Sequence, residues 1–79
     1  MTTMYRARYN PSMVTKRVGA TIRRLREARG LSQVALARQA TIGRVTLVRI
    51  EAGTQDPTLT TLARIARALG VRLRDLLPA

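Results

Sequence analysis

Residues 31–57 read LSQVALARQATIGRVTLVRIEAGTQDP, and the fold of the whole chain turns on how they are read. Ser32 is a candidate N-cap, because its hydroxyl can accept from the free N–H groups of the turn that Gln33 opens. Leu36, Ala37 and Ala40 then recur at helical spacing, so small and medium apolar groups share one inward side. After a tight turn at Thr41, a second short helix is expected over residues 43–52. Ile42 stands just ahead of it, and Leu47 and Ile50 form its buried face.

The other side of that second helix carries Arg44, Val45, Thr46, Val48 and Arg49. An outward face of arginine and valine, without glutamate, is a poor match to a merely solvated surface. It suits an anionic partner with apolar spots, as a DNA major groove offers in its phosphates, guanine edges and thymine methyls.

The run L-S-Q-x-x-L-A-x-x-A-x-I-x-R-x-T-L-x-R-I-E-x-G-x-x-x-P resembles the helix-turn-helix of the Cro and lambda-repressor-like family, also called the xenobiotic-response-element family. The likeness continues through TLTTLARIARALGV and back through IRRLREARG, so it spans residues 18–77. What the resemblance implies is an all-α, compact five-helix lambda-repressor-like DNA-binding domain. Its recognition helix would lie in the major groove and its preceding helix across the groove mouth. It further implies a phosphate contact at Gln33, an ion pair between Arg26 and Glu51 that ties the recognition helix to the scaffold, and a homodimer on two half-sites. This chain departs from the family pattern in four places. Thr41 fills a turn position often held by glycine, Gly43 replaces a capping serine or threonine, Val34 and Ala35 replace polar residues, and Arg72 stands where a capping serine is common.

Within that frame, Arg44 and Arg49 are candidates for bidentate contacts to guanine, each worth about 1–3 kcal/mol of discrimination. Val45 and Val48 could pack on a thymine methyl, and Thr46 completes the base-reading set. Arg49 has a second reading as a phosphate contact that adds affinity without sequence information. Thr54 and Gln55, in the loop after the recognition helix, are candidate phosphate contacts alongside Gln33.

Outward from this stretch, a first helix is expected to begin between Ser12 and Lys16 and to end at Arg29, with Gly30 as the left-handed residue beyond it. Its stripe is Val14, Val18, Ile22 and Leu25. A fourth helix, capped by Thr58, would turn Leu59, Leu62, Ile65, Ala66 and Leu69 inward and stop at Gly70. A last short helix over residues 72–77 carries Leu73, Leu76 and Leu77. Leu73 and Leu77 are candidate dimer contacts, with a plain core role as the other reading. Residues 1–15 form a basic arm ahead of the domain at 16–79. Arg6 and Arg8 could reach DNA, the stretch could simply fray, or Tyr5 and Tyr9 could cover a dimer contact.

The 79 residues hold one small domain, with 46% hydrophobic residues, two Tyr and no Phe or Trp, so the core must be aliphatic. A net charge of +11 makes nucleic acid the first partner to consider and an acidic membrane surface the second. The absence of Cys and His removes disulfides, thiolate chemistry, the usual general base and the commonest metal ligand. No metal or other cofactor is expected. The acids Glu27, Glu51, Asp56 and Asp75 are scattered, and no nucleophile has a base nearby, so an enzyme is not expected either. No apolar run approaches the ~20 residues of a membrane span, and the expected location is cytoplasmic.

The function expected is that of a sequence-specific, dimeric DNA-binding transcriptional regulator, such as a phage-type repressor or a restriction-modification controller protein. The alternative is an antitoxin that binds a toxin protein and represses its own promoter, for which the N-terminal arm and Val34 are the candidate features.

Overall fold

The computed structural model describes residues 11–78. The expected arm falls outside them as far as residue 10. Helix α1 spans Pro11–Ala28, α2 Gln33–Ala40, α3 Arg44–Ala52 and α4 Leu59–Leu69, and a 3₁₀ turn follows at Leu73–Leu76. Among the described residues there is no strand.

Helix α1 opens on Pro11, before the first residue expected for it, so residues 11–15 of the expected arm form its first turn and part of the next. Proline suits a first helical position, because its missing N–H is one that no helix can satisfy and its φ is already helical. Ser32 Oγ accepts from the Ala35 N–H at 3.0 Å, and Thr58 Oγ1 accepts from the Thr61 N–H at 3.1 Å, so both expected caps are formed. Helix α3 starts at Gly43 without a side-chain cap.

All four helices of the described residues stop in the same way. The N–H two residues past the end, or three for α1, returns to a carbonyl five residues back: Leu31 to Arg26, Ile42 to Ala37, Thr54 to Arg49 and Val71 to Ala66. Such a closure needs one left-handed residue. Gly30, Gly53 and Gly70 supply it for three helices, and Thr41 supplies it for α2 at φ 56° and ψ 47°. Thr41 is thus a β-branched residue held where glycine is at ease. Leu31, Ile42 and Val71, just past these turns, pack against the core.

Every element contributes an inaccessible side chain to one centre: Ile22 from α1, Leu36 from α2, Leu47 and Ile50 from α3, Ile65 from α4 and Leu76 from the 3₁₀ turn. Leu59 does not join them. It was expected on the inner stripe of α4, yet it is 66% exposed. Helical side chains lean toward the N-terminus, so the first-turn leucine leans past the end of the packed layer. The last helix is also shorter than expected. Arg72 has no acceptor with which to cap it, and the Asp75 carboxylate instead takes the Arg72 N–H at 3.0 Å, closing a single tight turn.

Helices α1 and α3 approach each other closely at Gly19. A Cβ there would lie 2.1 Å from the Ile50 carbonyl oxygen and 2.9 Å from that of Glu51. The backbone of α3 therefore rests directly on α1, with no side chain between them.

Candidate nucleic-acid interface

Helix α3 is nine residues long and buries Leu47, Ile50 and Glu51 on one side. Opposite them, Arg44, Val45 and Arg49 are exposed, while Thr46 and Val48 are half-buried. Val45 is 57% exposed, which is high for a valine and leaves its methyls available to an apolar spot on a partner. The expected base-reading set thus divides into three side chains that project freely and two that are shielded.

What holds this face in place is a buried ionic network. Arg26 Nε donates to Glu51 Oε2 at 2.8 Å and its second terminal nitrogen donates to Oε1 at 3.0 Å, a two-pronged pairing between α1 and α3. The remaining nitrogen of Arg26 donates to the Leu31 carbonyl at 2.8 Å. Both residues are 9% exposed. The hydrogen bond to Glu51 raises the pKa of Arg26 above the ordinary arginine value, against the opposing effect of burial. The pairing implied by the family resemblance is present. No buried side-chain nitrogen or oxygen lacks a partner among the described residues.

Gln33 opens α2 half-buried, and its Nε2 donates to Glu51 Oε1 at 3.1 Å, an interaction the sequence did not reveal. Beyond α3, the Thr54 hydroxyl donates to the Arg49 carbonyl at 3.2 Å, so its only hydrogen is already engaged with its own helix end. Gln55 is half-buried beside it. Both line a shallow cleft with Pro11, Ser12, Thr15, Gly53 and Asp56. The Thr15 hydroxyl bonds to the Asp56 carboxylate, fastening the start of α1 to the loop after α3.

The two expected dimer residues part company. Leu73 is half-buried against the core of its own chain, and Leu77 is 43% exposed. Val34 is 47% exposed, as its place on α2 suggested.

The acidic side chains are all engaged. Glu27 lies 3.6 Å from Arg23, Glu51 is paired with Arg26, Asp56 with Thr15, and Asp75 with the Arg72 backbone. Arg44 and Arg49 have no carboxylate within 4.0 Å among the described residues, and their charge faces outward uncompensated. Arg64 and Arg67 likewise line a polar cleft with Gln39 and Thr41, a grouping that sequence spacing alone did not join. No group of three potential metal ligands occurs among the described residues, and none of their helices is long and apolar enough to cross a membrane.

A family model described as helix-turn-helix matches residues 22–76. The immunity repressor protein of Bacillus phage phi105 is 41% identical over 56 residues, which cover 71% of this chain and 39% of the repressor. This chain therefore spans about two fifths of that relative's length. The restriction-modification controller protein C.AhdI from Aeromonas hydrophila superposes with a TM-score of 0.78 at 32% identity, covering 80% of this chain and 96% of the controller. An HTH_3 family transcriptional regulator from Vibrio cholerae superposes with a TM-score of 0.81 at 30% identity, over 85% of this chain and 38% of the regulator.

Proposed function

We propose that this chain, which belongs to the helix-turn-helix family, is a sequence-specific DNA-binding transcriptional regulator that works as a homodimer. The observation that carries the reading is the outer face of α3. Two uncompensated arginines flank an exposed valine on a helix that buried ionic and backbone contacts hold to the scaffold. That helix, nine residues and about 13 Å long, has a diameter of about 10–12 Å with its side chains, which a groove about 12 Å wide can admit.

In this reading Arg44 and Arg49 fork onto guanine O6 and N7, and Val45 packs on a thymine methyl. Thr46 and Val48, being half-buried, take a smaller part. Gln33 and Gln55 touch phosphates at the two sides of the motif. Thr54 serves the loop chiefly by closing α3, because its hydroxyl proton is spent on Arg49. Leu77 lies in the two-fold contact, with Leu73 behind it. The two recognition helices then meet half-sites about 34 Å apart. With roughly 6–10 phosphates neutralised, affinity falls steeply with salt, by about 0.9 in log K per phosphate for each decade of concentration.

The test is selection of bound duplexes from a random pool with the native chain, Arg44→Ala and Arg49→Ala. The expected result is a two-fold symmetric site whose preference is lost at defined positions in each variant. A pool that stays random with the native chain overturns the proposal. Uniform weakening in Arg49→Ala would instead assign that side chain to phosphate.

A further inference from the structure

Glu51 accepts three hydrogen bonds, and the third joins two parts of the interface. Arg26 supplies two from α1, and Gln33, the first residue of α2, supplies one from Nε2 at 3.1 Å. An ionised carboxylate can only accept, so the Gln33 amide must turn its NH2 group toward Glu51. The flipped amide would set one acceptor oxygen against another. One N–H is thereby consumed and the second is the only donor the side chain has left. That donor sits at the mouth of α2, where the first-turn backbone N–H groups and the positive end of the helix dipole favour a phosphate. The Arg26 guanidinium on the same carboxylate offsets its charge, so an approaching phosphate does not meet a bare anion.

We propose that Glu51 is a positioning residue for DNA binding: from the end of α3 it clamps the Gln33 amide on α2, holding the phosphate contact and the base-reading helix in one register. This rests on the DNA-binding reading above. It assigns Glu51 a part beyond pairing with Arg26. Removing the clamp frees the amide to present its oxygen to the phosphate, which repels it, and lets the start of α2 shift against α3.

The experiment is a double-mutant cycle on duplex affinity with Gln33→Ala, Glu51→Gln and both together, using the duplex recovered by selection and a temperature well below each melting point. Gln33→Ala is expected to weaken binding roughly tenfold on matched and unmatched duplexes alike. Glu51→Gln is expected to weaken it to a similar degree in the native background and by less than about twofold when Gln33 is already alanine. Equal losses from Glu51→Gln in both backgrounds would reduce Glu51 to a fold-stabilising role and overturn the inference. So would an unchanged affinity in Gln33→Ala.

A second measurement needs neither a variant nor DNA. In the free native chain, the side-chain amide protons of Gln33 should exchange with solvent several-fold more slowly than those of Gln55, for which no hydrogen bond is seen among the described residues. Equal exchange overturns the clamp. If no duplex is selected, the DNA-binding reading fails, while this measurement still decides the Gln33–Glu51 bond.

Discussion

Gly19→Ala sets two effects of opposite sign against each other in a single atom. Gly19 sits inside α1, where alanine is favoured over glycine by about 1 kcal/mol of intrinsic helix propensity. Judged locally, the substitution stabilises. The added methyl, however, would stand 2.1 Å from the Ile50 carbonyl oxygen and 3.1 Å from the Glu51 carbonyl carbon, both backbone atoms that no rotamer change can move aside. Helix α3 must then retreat by about 1 Å. A radial gap of that size forfeits a quarter to a half of the dispersion energy of the contacts it opens. Leu47 and Ile50, both inaccessible to solvent, lie on the side of α3 that would lose them. The usual cost of overpacking a core is about 1–3 kcal/mol. A clash against fixed backbone belongs at the upper end, which leaves a net loss of about 2 kcal/mol after the propensity gain. For a domain of this size that lowers Tm by roughly 10 °C. Thermal unfolding followed by circular dichroism measures it, with the exposed neighbour as control: Ala20→Gly should cost about 1 kcal/mol through propensity alone. A Gly19→Ala chain as stable as the native one, or more so, would refute the close approach of the two backbones.

Three further outcomes are expected. Thr41→Gly relieves a left-handed β-branched residue, whose strain of about 1–2 kcal/mol exceeds the 0.5–1 kcal/mol of backbone entropy that glycine adds to the unfolded chain; urea unfolding should show a gain of about 0.5–1 kcal/mol, and a loss would contradict the strain. Arg26→Met leaves Glu51 buried without its counter-ion and should cost on the order of 3 kcal/mol by denaturant unfolding. Because the folded pKa of Arg26 is raised, its contribution is fully present below the ordinary arginine pKa and is lost only as pH climbs through the raised value, so the deficit should be as large at pH 10 as at pH 7. Leu77→Ser touches a 43% exposed side chain and should leave unfolding within about 0.5 kcal/mol of native while shifting sedimentation of the proposed dimer toward monomer; unchanged assembly would exclude Leu77 from the proposed two-fold contact.

These perturbations bear on one arrangement. The proposed recognition surface can discriminate bases only if its side chains arrive in a fixed geometry, and α3 is short, with glycine at its start and end. What holds it lies beneath it. Gly19 lets the backbones meet, Arg26 and Glu51 cross between α1 and α3, and the closure of Thr54 on Arg49 ends the helix cleanly. The exposed side chains are thereby left free to serve a partner.

The helices, their caps and most of the core were legible in the sequence because the forces that set them act over a few residues. A hydroxyl at Ser32 or Thr58 reaches an N–H three positions on, a glycine at 30, 53 or 70 turns its own backbone, and apolar side chains three and four apart share a face. The Arg26–Glu51 pair was legible only through resemblance, since nothing local links positions 25 apart. The exposure of Leu59, the contact of Gly19 with α3, the Gln33–Glu51 bond and the cleft of Gln39, Thr41, Arg64 and Arg67 were not legible at all. Each depends on where one packed helix stops and where two helices lie against each other. Local spacing sets which side of a helix is apolar, but only the packing of the assembled layers sets how far that side is covered and which distant polar groups then meet.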